Sequence, residues 1–116
     1  MAQTEHPAAR LVDVGGLVRA QEAKEVNLLL DVRSPEEFAE GHVANSLNMP
    51  LGDLERRVSE LARWQNAEIW VICRSGRRSA AAASILSSRG FRVADVGGGV
   101  EGWRAAGLSL KSGVSP

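Results

Sequence analysis

Apolar positions along the chain fall in short runs separated by polar turns, and the runs read alternately as strands and helices. Leu11-Val-Asp13-Val14 is a brief first strand, with Asp13 placed to cap a helix reaching about Ala23. In Asn27-Leu-Leu-Leu-Asp31-Val-Arg33 the apolar residues are consecutive rather than alternating, which predicts a strand buried on both faces with Asp31 and Arg33 at its polar end. Ser34-Pro35-Glu36-Glu37 then supplies an N-cap serine, a proline at the first helical position and a glutamate at the third. That capping box opens a short helix which Gly41 is placed to end. Ser46 to Pro50 reads as a short strand, and Leu51, Leu54, Val58 and Leu61 recur at helical spacing opposite Arg56, Arg57 and Glu60, as on a surface helix.

The second half repeats the alternation. Glu68-Ile-Trp-Val-Ile-Cys73 is another buried strand, followed by a small polar loop and an alanine-rich helix from about Arg78 to Arg89, with Gly90 as a left-handed cap. Phe91 to Val96 gives a last strand. Gly97-Gly98-Gly99 is expected to turn at the sheet edge into a final helix carrying Trp103, which reads as core. Strands alternating with helices predict an α/β domain around a mainly parallel sheet.

A length of 116 residues leaves room for one core, so the chain reads as a single domain over 1–116, without repeat or linker and with flexible ends at 1–9 and 110–116. Hydrophobic residues at 44% and charged residues at 24% fit a globular chain and argue against disorder. The apolar run from Ile69 to Cys73 is far too short to cross a bilayer, and the N-terminus has neither a basic nor an apolar signal region, so neither a membrane partner nor export is expected. Fourteen basic and fourteen acidic residues cancel, leaving no global field to attract nucleic acid. A single cysteine closes no internal disulfide and fits a reducing, cytoplasmic setting. His6, His42 and Cys73 offer no metal-binding spacing, and Gly97 to Gly99 lacks the spaced glycines and acidic partner of a dinucleotide site, so no metal and no cofactor are expected.

The balanced charge hides a local asymmetry. Arg74, Arg77 and Arg78 crowd after Cys73, with no acidic residue in sequence before Asp95. A cysteine that follows an apolar strand is commonly a small core residue. Packing alone, however, does not call for a glycine and three arginines in the next five positions. At the carboxyl end of a parallel strand, the loop Cys73-Arg74-Ser75-Gly76-Arg77-Arg78-Ser79 could curl its backbone N–H groups around the sulfur, with Gly76 permitting a positive φ. Such an anion nest, a helix N-terminus and nearby guanidiniums would favour thiolate over thiol. The same cradle would hold a persulfide. Sulfur transfer and phosphoryl transfer both fit this description.

These residues resemble the rhodanese family, specifically its small single-domain members. The resemblance covers about residues 26–108. It is carried by Leu-Leu-Leu-Asp31-Val-Arg33 with Ser-Pro-Glu-Glu-Phe38, by Gly41-His42-Val-Ala-Asn-Ser-Leu-Asn48-Met-Pro50, by Val-Ile-Cys73-Arg-Ser-Gly-Arg-Arg-Ser79, and by Gly97-Gly-Gly-Val-Glu-Gly-Trp103-Arg-Ala-Ala-Gly107. It implies an α/β domain around a five-stranded parallel sheet. It also implies a thiosulfate sulfurtransferase in which Cys73 becomes a persulfide, loaded by thiosulfate or another small sulfur-containing anion and unloaded onto cyanide or a thiol acceptor.

By position, Arg74, Ser75, Gly76, Arg77, Arg78 and Ser79 would form the cradle, the arginine side chains steering the donor. Asp31 and Arg33 match the family's Asp-x-Arg motif and would either brace the cysteine loop or form a structural ion pair. Glu37 is expected to complete its helix cap rather than meet an anionic donor, and His42 to hold a loop rather than act as a base. Phosphatases and arsenate reductases of this fold use a longer loop, with arginine six positions after the cysteine. Ser79 stands at that position here, which favours sulfur transfer. The alternative is a persulfide carrier dedicated to a protein partner.

Overall fold

A computed structural model describes residues 9–116, so the expected flexible N-terminal end lies outside the described residues except for Ala9. The strands are β1 (Arg10–Val12), β2 (Leu28–Asp31), β3 (Leu47–Asn48), β4 (Glu68–Ile72) and β5 (Arg92–Val96). The α-helices are α1 (Val14–Glu22), α2 (Pro35–Glu40), α3 (Leu54–Arg57), α4 (Arg77–Ser88) and α5 (Gly99–Ala105). The strands form one five-stranded sheet in the order β1-β5-β4-β2-β3, and every pairing is parallel.

The consecutive apolar runs are explained by burial on both faces of this sheet. Leu28 and Leu30 of β2 and Ile69 and Val71 of β4 pack with Leu54 of α3 and with Ala82, Ala83 and Leu86 of α4. Leu29, Trp70 and Ile72 point the other way, onto Leu17 and Ala20 of α1 and Val100 and Trp103 of α5. Because all strands run in one direction, the loops after β2, β4 and β5 converge at the carboxyl end of the sheet, where such folds place ligands.

Local signals set the boundaries. The Asp13 carboxylate accepts the Gly16 amide at 2.7 Å and starts α1. Ser34 and Glu37 close both halves of the capping box on α2. Gly90, with φ +90°, follows α4.

Three expectations are corrected. The stretch from Leu51 to Trp64 is not one helix. It is a 3-10 turn (Leu51–Asp53), the single turn of α3, and a second 3-10 segment (Val58–Trp64). The three-residue spacings of Leu51 with Leu54 and of Val58, Leu61 and Trp64 suit 3.0 residues per turn, and all five side chains pack on the same core cluster. Gly97 to Gly99 does not turn at a sheet edge, because β5 lies between β1 and β4. The C-terminal segment, expected to be a flexible end over 110–116, is tied to α2 and the turn after it through Lys111 and Gly113. His42 and Lys111 exchange backbone hydrogen bonds of 2.9 and 2.8 Å, and the Gly113 amide donates to the Ala39 carbonyl at 2.8 Å.

Candidate active site

Cys73 follows the last residue of β4 and is 1% exposed. The chain then makes a tight loop into α4, with Gly76 at its N-cap in a left-handed conformation (φ +117°). This conformation turns the Gly76 N–H back onto the cysteine sulfur at 3.0 Å. The Sγ also lies 3.4 Å from the hydroxyl of buried Ser79, which in turn donates to the Gly76 carbonyl at 3.2 Å. A hydroxyl hydrogen rotates freely, so Ser79 can donate to the sulfur when that sulfur carries negative charge. The first-turn amides of α4 lack intrahelical acceptors and add positive potential beside the sulfur. Among the described residues, Gly76 supplies the one backbone N–H bonded to Sγ, fewer than a full ring of loop amides would give.

The loop arginines are less available than their crowding in sequence suggests. Arg78 forms two hydrogen bonds with Glu37, of 2.6 and 2.8 Å. The Arg74 Nε donates to Glu101 of α5 at 3.0 Å. Arg77 is exposed, and among the described residues it makes no ion pair. Ser75 is also exposed. Glu37 therefore both completes its helix cap and meets the cysteine loop. The hydrogen bond from Arg78 holds its carboxyl down at about 2, with the Ser34 amide and hydroxyl assisting. The Arg78 guanidinium is raised above its ordinary value by Glu37 first, and then by the charges of Cys73 and Asp31.

Asp31 and Arg33 form a buried pair at the end of β2. The Asp31 carboxylate accepts the Arg33 amide at 3.0 Å and its Nη2 at 2.7 Å, while a second Nη2 bond reaches the Gly41 carbonyl at 2.8 Å. No hydrogen bond joins the pair to the cysteine loop among the described residues. Arg33 instead walls a cleft of about 200 Å³ beside that loop, together with Glu37, Glu40, Arg74, Glu101 and Arg104. Two larger cavities border α1 and include no residue of the loop. His42 is fully buried, stacked on Phe38 at 3.7 Å, with Nδ1 2.8 Å from the Phe38 carbonyl.

Sequence reasoning missed Glu101, which is 27 residues from Arg74. It also missed the placement of Gly99. The Val100 and Glu101 amides of α5 donate to the carbonyls of Cys73 and Arg74 at 2.8 and 2.9 Å, so the start of α5 is part of the site's frame. The run of three glycines was the visible signal.

Known proteins agree with this architecture. The rhodanese-like domain family matches residues 13–106. A sulfurtransferase of Allochromatium vinosum is 34% identical over 84 residues, covering 72% of this chain and 77% of its own. The thiosulfate sulfurtransferase PspE of Escherichia coli is 33% identical over 72 residues, with 62% and 69% covered. The Bacillus subtilis protein named "Putative sulfur carrier protein YrkF" is 42% identical over 76 residues, but the chain spans only 40% of its length. The crystal structure of a rhodanese-related protein from Thermoplasma volcanium superposes with a TM-score of 0.80 at 34% identity, covering 88% of this chain and 97% of the other. With its parallel five-stranded sheet, its cysteine loop and these sulfurtransferase relatives, the chain belongs to the rhodanese-like domain family.

Proposed function

We propose that the protein is a sulfurtransferase that carries sulfane sulfur as a persulfide on Cys73. The observation that carries this reading is the Gly76 N–H held 3.0 Å from a sulfur at the end of β4, in a loop that closes on Ser79 rather than widening around a larger oxyanion. In the first half-reaction, the Cys73 thiolate attacks the outer sulfur of thiosulfate or of a persulfide donor. A new S–S bond forms and the donor's own bond to that sulfur breaks, with its electron pair leaving on sulfite or on the donor thiolate. The terminal sulfur of Cys73 then carries the negative charge, which the Gly76 amide, the Ser79 hydroxyl and the start of α4 offset. In the second half-reaction, cyanide or a thiolate attacks that terminal sulfur and Cys73 leaves as the thiolate. No proton transfer is needed at the sulfur, so the buried His42 has no base role in this sequence.

Among the described residues Arg77 is the loop cation without an ion pair, exposed to an incoming anion, while Arg74 and Arg78 contribute field through their ion pairs. Asp31 and Arg33 support the cleft wall. A reducing, cytoplasmic setting belongs to this reading, since the free thiol must persist between turnovers. The test is turnover of thiosulfate and cyanide to sulfite and thiocyanate, compared with Cys73→Ser. Loss of turnover in the variant is expected, and full turnover without the thiol overturns the assignment.

A second reading, delivery of the persulfide to a dedicated protein thiol, is favoured by the similarity to YrkF, which is named a putative sulfur carrier protein. Slow transfer to cyanide combined with fast transfer to a protein thiol would select it.

A further inference from the structure

Gly99, the first residue of α5, lies against the backbone of the cysteine loop. A Cβ built at this position would fall on the Cys73 carbonyl oxygen and stand 2.5 Å from the Arg74 carbonyl oxygen. Both are backbone atoms, so neither can swing aside as a side chain does. The positive φ of Gly99 (+58°) does not by itself demand glycine, because Lys24 and Asn45 adopt φ values of 58° and 69° in the same fold. The close approach does demand it.

The approach has a specific result. It brings the next two amides of α5, those of Val100 and Glu101, within 2.8 and 2.9 Å of these same two carbonyls. The Glu101 carboxylate adds a third tie, through Arg74. The backbone of Cys73 is thus fixed from α5 on one side, while its sulfur is held by Gly76 from the α4 side.

We propose that Gly99 is a positioning residue for Cys73. The missing side chain lets α5 hold the first two carbonyls of the loop, and this sets the sulfur at hydrogen-bond distance from the Gly76 amide. A methyl group at this position pushes the loop outward. A displacement of about 1 Å at a reacting atom costs up to about a hundredfold in rate. The inference rests on the reading of Cys73 as the nucleophile, and its test keeps the two separable.

Gly99→Ala is compared with Gly98→Ala. Gly98 lies in the same turn with φ +83°, but a Cβ there meets its nearest atom, the Gly102 Cα, at an ordinary 3.8 Å. Both variants carry backbone strain, and Gly99→Ala alone strikes the loop. The readouts are melting temperature and the pH profile of Cys73 alkylation by iodoacetamide, neither of which requires sulfur transfer. The expected result is that both variants melt earlier, while only Gly99→Ala changes the alkylation profile and slows persulfide loading by roughly tenfold or more. A wild-type alkylation profile in folded Gly99→Ala overturns the inference even if wild type loads sulfur normally. Should Gly99→Ala fail to fold, hydrogen exchange in the wild-type protein decides. Protected Val100 and Glu101 amides support the clasp, and exchange at the rate of open amides overturns it. Failure of the wild type to load sulfur would instead count against the functional reading.

Discussion

The Glu37 carboxylate and the Arg78 guanidinium, 41 residues apart in sequence, meet through two parallel hydrogen bonds of 2.6 and 2.8 Å. One belongs to the capping box of α2 and the other to the first turn of α4, so the cap of one helix fixes the far end of the loop that begins at Cys73. The pair predicts a pH dependence. Arg78 holds the Glu37 carboxyl down at about 2, below its ordinary 4.5. A depressed carboxyl stabilises the fold fully above its unfolded value and loses that contribution as pH falls through its folded value. With side chains 28% and 36% exposed, the contribution is about 1 kcal/mol after solvent screening. Denaturant unfolding of wild type and Glu37→Gln should therefore differ by a constant amount above about pH 4.5 and converge toward about pH 2. A difference that grows on acidification would contradict the pairing.

The Asp31–Arg33 pair is a different case, because both side chains are almost completely buried. Asp31→Ala leaves a buried guanidinium whose remaining hydrogen-bond partner among the described residues is the Gly41 carbonyl. The expected loss is about 3–5 kcal/mol, read from the denaturant midpoint. A loss within about 0.5 kcal/mol would mean that water or another carboxylate replaces Asp31.

Arg77 carries the anion-steering prediction. Arg77→Ala should raise the KM for thiosulfate about threefold at low ionic strength, with kcat little changed, and the difference should fade near about 0.5 M salt. An unchanged KM, or one insensitive to salt, would remove Arg77 from donor capture.

Gly76 tests the cradle itself. Gly76→Val forces a β-branched residue to φ +117° and moves the N–H that meets the sulfur. Persulfide loading should slow by about tenfold or more, as expected when one preorganised donor is lost. A variant that folds and loads at the wild-type rate would show that the Gly76 amide is dispensable.

Much of this architecture was legible in the sequence because local signals agree with the fold. The capping box at Ser34, the Asp13 cap and the consecutive apolar runs of β2 and β4 each fix an element without reference to the rest of the chain. The cysteine loop was legible for the same reason. What could not be read was long-range. Arg74 and Arg78 looked like free cations because the carboxylates that meet them, Glu101 and Glu37, lie on other elements. Gly97 to Gly99 looked like an edge turn because strand order is not encoded in any one segment. The 3-10 segments between Leu51 and Trp64 resembled a helix because spacings of three and four residues are hard to separate over so short a run.

If Cys73 carries sulfur between donor and acceptor, the loaded protein is heavier by one sulfur atom, which intact mass reads without a coupled assay. The purified protein is incubated with thiosulfate and its mass recorded without reductant, beside Cys73→Ser. Gain of one sulfur atom by the wild type alone is the predicted result. No gain with thiosulfate or with a persulfide donor, or an equal gain in Cys73→Ser, would contradict the account.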